Sequence, residues 1–200
     1  MKHIGVYGGT FSPPHIGHKH AAQMFLEAGE IDSLTVIPTY VTPLKERREQ
    51  TSPSDRLEMC RLAFSFSPRI TVSDMEILRA GKSYTSETLT QLSSPDTKLS
   101  FLCGTDMLLS MGTWHDPQTI FRLADIVCMR RETDAENTTN LFQKAEEYRE
   151  RFGARVRFLQ APPLELSSSE IRERLASGQD CSAYLDPSVL AYIQKRGLYL

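Results

Sequence analysis

Gly8-Gly9-Thr10-Phe11-Ser12-Pro13-Pro14-His15-Ile16-Gly17-His18 follows directly on the apolar run His3-Ile4-Gly5-Val6-Tyr7. A short β-type run breaks into two glycines, then into a proline-bounded turn, and two histidines three residues apart open a helical pattern. Glycines placed this way put backbone N–H groups at a helix N-terminus, where the dipole and the unpaired donors favour an anion. His15 and His18 share a face of that helix and can reach one ligand. The same glycines also serve as an ordinary tight turn, and the histidines as a surface pair, so the stretch alone leaves the question open.

Outward from this point the chain repeats the pattern. Short apolar runs recur at Ile4–Tyr7, Leu34–Ile37, Ile70–Val72, Leu99–Cys103, Ile126–Met129 and Val156–Leu159, with helical periodicity between them. Continuous rather than alternating apolar character suits strands covered on both faces, so an α/β alternation is expected. Ala21, Ala22, Phe25 and Leu26 mark the first helix, which Gly29 closes; Ser52-Pro53-Ser54 opens a second that runs to Phe64 with Leu57, Cys60, Leu62 and Phe64 inward. The span Tyr40–Gln50 reads as a loop after the second strand. Glu132–Thr139 reads as a surface connection before a charged helix Asn140–Arg151. Leu166-Ser167-Ser168-Ser169-Glu170-Ile171-Arg172 is a serine-rich helix start, ended by Ser177-Gly178, and a last helix Pro187–Lys195 is closed by Gly197.

Composition narrows the function. Two hundred residues at 40% apolar content suffice for one domain over residues 1–200. A net charge of -2 supplies no field for nucleic acid or an anionic membrane, so neither is expected as a partner and any anion site is built locally. Cys60, Cys103, Cys128 and Cys181 lack zinc spacing and read as core residues of a reducing compartment. No stretch approaches the ~20 apolar residues of a membrane span, so a cytoplasmic protein is expected, with oligomeric state left open.

The string from Gly8 to His18 resembles the entry motif of the nucleotidyltransferase branch of the HUP-type α/β proteins, and Ser167 to Arg172 resembles that branch's serine–arginine block. Intermediate blocks narrow the resemblance to the bacterial nicotinate-nucleotide adenylyltransferases: Pro43-Leu44-Lys45, Ser83-Tyr84-Thr85 opening a third helix, Gly104-Thr105-Asp106, Thr113-Trp114 and Met129-Arg130-Arg131 after the fifth strand, with Gly197-Leu198-Tyr199 at the far end. The resemblance implies a Rossmann-like doubly wound, mostly parallel sheet of five to six strands with helices on both faces. It implies transfer of the adenylyl group of ATP to nicotinate mononucleotide, with pyrophosphate released. His15, His18 and Arg172 would be the catalytic set. Gly8, Gly9, Thr10, Phe11, Gly104, Arg130, Ser167 and Ser168 would join them on ATP, and Mg²⁺ would be carried by the ATP. Lys45, Thr85, Asp106 and Trp114 would meet nicotinate mononucleotide.

Three positions depart from the family pattern. Ser12 stands where Asp is common, Leu44 where His is common, and His115 where Tyr is frequent. Other readings stay open: transfer to a different acceptor such as phosphopantetheine or a sugar phosphate, a class I aminoacyl-tRNA synthetase suggested by His15-Ile16-Gly17-His18 but without a lysine loop, and a non-catalytic nucleotide-binding protein on the same fold.

Overall fold

A computed structural model describes residues 1–28, 30–42, 51–130, 135–160 and 166–200. Gly29, Lys45, Arg131 and most of the Tyr40–Gln50 loop lie outside them. The described elements run β1 (Lys2–Gly9), α1 (Ile16–Ala28), β2 (Ser33–Pro38), α2 (Pro53–Ala63), β3 (Ile70–Val72), α3 (Met75–Arg79), α4 (Thr85–Leu92), β4 (Thr97–Gly104), α5 (Thr105–Ser110), a 3₁₀ turn (Met111–Thr113), α6 (Pro117–Leu123), β5 (Ala124–Arg130), α7 (Ala135–Phe152), β6 (Val156–Gln160), α8 (Ser168–Ala176) and α9 (Pro187–Arg196).

All six expected strands form, in one sheet of order β3-β2-β1-β4-β5-β6 with every pairing parallel. Neighbouring residues of the inner strands enter opposite cores. Tyr7, Leu34, Val36, Leu102 and Val127 join Phe25, Met59, Phe64, Ile171 and Ile193 on the face covered by α1, α2, α8 and α9. Val6, Ile37, Phe101, Ile126 and Cys128 join Leu89, Leu108, Phe121 and Tyr148 on the other. Strands buried on both faces cannot alternate polar with apolar residues, which is why the sequence shows unbroken apolar runs. All four cysteines are buried in these cores and unpaired.

Helix starts follow the polar punctuation. Ser52 Oγ accepts from the Asp55 N–H at 3.0 Å ahead of Pro53, and Asp186 caps α9 ahead of Pro187. Proline at these positions removes an N–H that has no helical partner anyway. Gly197, at φ 61°, closes α9 in the left-handed conformation that a glycine adopts without a Cβ penalty.

Four expectations change. A short helix, α3, intervenes, so Ser83-Tyr84-Thr85 opens the fourth helix. α7 begins at Ala135, and its 18 residues include positions 135–139 of the stretch expected to be a connection, the rest of which lies outside the described residues. Arg130 is the last residue of β5 rather than beyond it, because its backbone pairs with Gln160. On α2, Met59 and Ala63 are buried as well, while Leu62 is half-buried. Among the described residues no helix is long and apolar enough to cross a membrane.

Candidate active site

Strand order reverses between β1 and β4, since successive crossovers leave that pair in opposite directions. A crevice opens at such a point beyond the C-terminal strand ends. Both strands end in glycine there, Gly9 and Gly104.

The turn after β1 is not built as the sequence suggests. Gly8 and Gly9 are the last residues of the strand, and the left-handed residue is Phe11, at φ 49°, followed by a cis Ser12–Pro13 peptide. Glycine is needed at position 9 for proximity instead, because a Cβ there would lie 2.9 Å from the Phe11 ring. That ring packs edge-on against Tyr7, Phe64 and His18, at centroid distances of 5.3, 5.6 and 5.1 Å.

Side chains from distant elements hold the carbonyls of the loop. Arg56 Nη1 donates to Thr10 O at 2.9 Å, Arg172 Nη1 to Ser12 O at 2.7 Å, and Ser168 Oγ to Pro13 O at 2.9 Å. A carbonyl bonded to a donor presents less negative charge to an incoming anion. Arg56, wholly buried on α2, also donates through Nη2 to Tyr40 O at 3.0 Å, tying the first crossover to the segment after β2. Nothing in the sequence marks this arginine, since its partners lie 46 and 16 residues away.

The two histidines come together, although His15 stands just before α1 rather than on it. Their ring centroids are 3.7 Å apart, and the His15 backbone N–H donates to His18 Nδ1 at 3.1 Å. An accepting Nδ1 puts the proton of the neutral ring on Nε2, which makes His18 a donor through its far nitrogen. Opposite them, α8 begins with Ser167 Oγ accepting from Glu170 N–H at 3.1 Å. The N-terminal loop and this helix start, far apart in sequence, enclose a groove of about 260 Å³ lined by Thr10, His15, His18, Ser167, Ser168 and Arg172, with Phe11 and Ser12. Arg172 Nη2 is steadied on Ser169 Oγ at 3.0 Å.

A second crevice of about 170 Å³ lies between the ends of β1 and β4, lined by Gly8, Gly9, Phe11, His18, Gly104 and Asp106 among others. His18 thus borders both spaces. Beyond it opens a larger cavity, about 570 Å³, that holds Thr85 and Trp114 and shares Gly8, Gly9 and Met107 with the crevice. Asp106 therefore lines the junction and not the larger cavity. Arg130 stands on the same sheet edge, one residue past Met129, the partner of Gly104; its guanidinium lies 6.0 Å from the Phe142 ring centroid and lines none of the three spaces.

Inside the larger cavity Trp114 is half-buried, its Nε1 donating to Ser110 Oγ at 3.2 Å and its ring edge-on to Phe101. Tyr84 and His115 stack at 4.2 Å on another wall. Two lining residues escaped the sequence reading. Thr39 Oγ1 is buried without a hydrogen-bond partner among the described residues, while its backbone N–H donates to Gly9 O at 2.9 Å. Glu76, 5% exposed, accepts from Thr88 Oγ1 at 2.6 Å. Burial pushes the Glu76 carboxyl upward from its ordinary pKa, against the pull of the Thr88 and Ser83 hydroxyls and of Arg79. A buried, hydroxyl-braced carboxylate has no periodic signature, so only the fold reveals it.

The arrangement sets a groove lined by hydroxyls, two histidines and an arginine near an aromatic-lined cavity, with His18 bordering both the groove and the crevice between them. The family model described as cytidylyltransferase-like matches residues 6–174. A probable nicotinate-nucleotide adenylyltransferase of Lachnoclostridium phytofermentans is 34% identical over 202 residues, covering the whole of both chains. Another, from Neisseria meningitidis serogroup B, is 36% identical over 201 residues and covers 100% of this chain and 99% of its own. In fold, the chain is similar to the Plasmodium falciparum nicotinic acid mononucleotide adenylyltransferase complexed with NaAD, with a TM-score of 0.77, 20% identity, and coverage of 100% of this chain and 98% of that one. A groove assembled from both ends of the chain, and full-length likeness at this level of identity, lead to one conclusion: the chain belongs to the nicotinate-nucleotide adenylyltransferase family.

Proposed function

We propose that this protein, as one nucleotidyltransferase domain over residues 1–200, joins ATP and nicotinate mononucleotide into nicotinate adenine dinucleotide. A phosphate oxygen of the mononucleotide attacks the α-phosphorus of ATP, the bond to the bridging oxygen of the β-phosphate breaks, and pyrophosphate leaves with that electron pair. Both reactants bring their own nucleophile and leaving group, so the protein's task is positioning and charge stabilisation. The observation that carries this reading is His18 standing where the polyphosphate groove meets the crevice leading to the aromatic cavity.

In this reading His18 donates from Nε2 to the transferring phosphate, while His15, Arg172 and Ser168 hold the polyphosphate, the last two already braced on the loop they face. Thr10, Phe11, Gly8, Gly9 and Gly104 shape the walls, and Ser167 serves by capping the helix that presents Ser168. Trp114 stacks on the pyridine ring, Thr85 donates to its carboxylate, and Asp106 at the junction accepts from a ribose hydroxyl. Lys45 is assigned to the mononucleotide phosphate, and Arg130 to the adenine end, on sequence resemblance alone. Mg²⁺ bound with ATP would screen the polyphosphate charge. Among the described residues no group of three or more His, Cys, Asp or Glu side chains forms a metal site, so phosphate oxygens and water would hold the ion, with Asp106 the nearest suitable carboxylate on the crevice. Four free cysteines suit residence in the cytoplasm.

The test compares nicotinate and nicotinamide mononucleotides as acceptors with ATP and Mg²⁺. Nicotinate is expected to win, because a donor set built for a carboxylate is poorly matched by a neutral amide. Replacing His18 by Ala should cut pyrophosphate release about 10²- to 10³-fold with the fold intact, as loss of one transition-state donor does. Efficient use of neither acceptor would overturn the reading.

A further inference from the structure

Ser12, in the loop after β1, shares with Thr51 and Tyr199 a closed triangle of three hydroxyls. Ser12 Oγ lies 3.0 Å from Thr51 Oγ1 and 3.0 Å from Tyr199 OH, and those two lie 3.0 Å from each other. All three residues are buried, at 2%, 5% and 8% exposure. Each hydroxyl has one proton to give, so a ring with one donation per edge uses every proton once and lets every oxygen accept once. Removal of any vertex leaves a buried hydroxyl pair with one proton unplaced.

The ring matters because of what Ser12 does with its backbone. Its carbonyl accepts the 2.7 Å bond from Arg172 Nη1, so the residue is gripped at its carbonyl by Arg172 and at its hydroxyl by Thr51 and Tyr199. Neither Tyr199 nor Thr51 lines any of the three spaces of the site. Tyr199 is held at φ 63°, outside the range a non-glycine residue prefers, with its ring packed in the core beside the nucleotide loop. The serine that departs from the family's usual Asp therefore keeps the loop anchored in a different way: it closes a neutral ring, where a carboxylate would accept from both partners.

We propose that Tyr199 is a positioning residue for ATP, acting through Ser12 on the loop and on Arg172. This rests on the reading of the groove as the ATP site, and not on the identity of the acceptor.

The experiment is equilibrium titration of the full chain with ATP in the absence of acceptor, alongside steady-state kinetics for both substrates. Tyr199→Phe keeps the ring's packing and deletes one hydroxyl. The substitution breaks two edges of the hydroxyl ring, to Ser12 and to Thr51. The dissociation constant and KM for ATP should rise about 3- to 10-fold, the effect of one net buried hydrogen bond, with the rest of the loss falling on stability and the acceptor KM unchanged. Thr51→Val should behave alike and Thr51→Ser should match the parent. Combining Tyr199→Phe with Ser12→Ala should add little to either alone, since both break the same ring. A purely structural role would lower Tm and the active fraction and leave the ATP dissociation constant where it was. That result, or additive effects in the double variant, overturns the proposal. Failure of the acceptor assay would leave the ATP titration able to decide it.

Discussion

Arg56→Met removes the two bonds by which a wholly buried guanidinium joins the carbonyls of Thr10 and Tyr40, at 2.9 and 3.0 Å. Methionine retains most of the stem volume, so the packing loss is small and the bonds dominate. A hydrogen bond from a charged donor is worth about 1.5–3 kcal/mol net, which sums to about 3–6 kcal/mol for the pair. Because the accepting residues Thr10 and Tyr40 are only half-buried, water can take over part of their carbonyls' bonding and the lower end applies, about 3–4 kcal/mol. For a chain of this size that is a fall in Tm of about 6–16 °C. Total stabilities of ~5–15 kcal/mol leave such a variant folded at low temperature, and urea unfolding followed by circular dichroism measures the loss. Activity should fall more than stability alone dictates, since Thr10 lines both the groove and the acceptor cavity while Tyr40 leads into its wall. Arg56→Lys should rescue little, because one ammonium cannot span two carbonyls in a fixed fork. A loss under 1 kcal/mol in Arg56→Met would refute the reasoning and mean that the bonds are exchanged for water at no cost.

Two further outcomes are expected. Glu76 has its folded pKa raised above the ordinary value of 4.5, so the folded state holds the proton to higher pH than the unfolded state does. Its contribution to stability is then most favourable below about 4.5 and declines as pH rises through the folded value, by the linkage of proton binding to unfolding. Glu76→Gln should remove that decline, and its unfolding free energy should gain on the parent as pH rises above about 4.5; a difference that stays constant with pH would sink the idea. Gly9→Ala places a Cβ 2.9 Å from a Phe11 ring that Tyr7, Phe64 and His18 already confine. Overpacking of this kind costs about 1–3 kcal/mol, and a thermal shift within the range of an ordinary surface change would refute it.

The strand positions were legible because burial on both faces imposes unbroken apolar runs, and that pattern survives translation from Leu34–Ile37 or Ile126–Met129 directly into the sheet. Helix starts at Ser52, Ser167 and Pro187 were legible for a local reason too: capping is decided within four residues. What sequence reasoning missed depends on contacts between distant segments. Arg56 looks like a solvated charge on α2 until the fold brings Thr10 and Tyr40 against it. Phe11, not a glycine, takes the left-handed backbone, because packing on Tyr7 and Phe64 outweighs local preference. α3 is five residues long, too short for a period to show. Asp106 was expected with Thr85 and Trp114, yet it stands in the first turn of α5, just past the strand end, and lines the crevice. His15 and His18 illustrate a middle case. Their spacing foretold that they would meet, while the bond that fixes the tautomer of His18 belongs to the loop geometry.

The tethers on the nucleotide loop also set an order in time. Ser168, Arg172 and Tyr199 reach Pro13 and Ser12 from 155, 160 and 187 residues farther along the chain. Synthesis at about 5–20 residues per second separates the emergence of the loop from that of its last partner by roughly 10–40 s. During that interval β1 can already pair with β2, whose register partners lie about 29 residues away, and Arg56 can reach Thr10, but the carbonyls of Ser12 and Pro13 still lack the donors that fix them. The groove proposed for ATP is therefore the last part of the site to acquire its shape, and a partly made chain is a sheet before it is a catalyst.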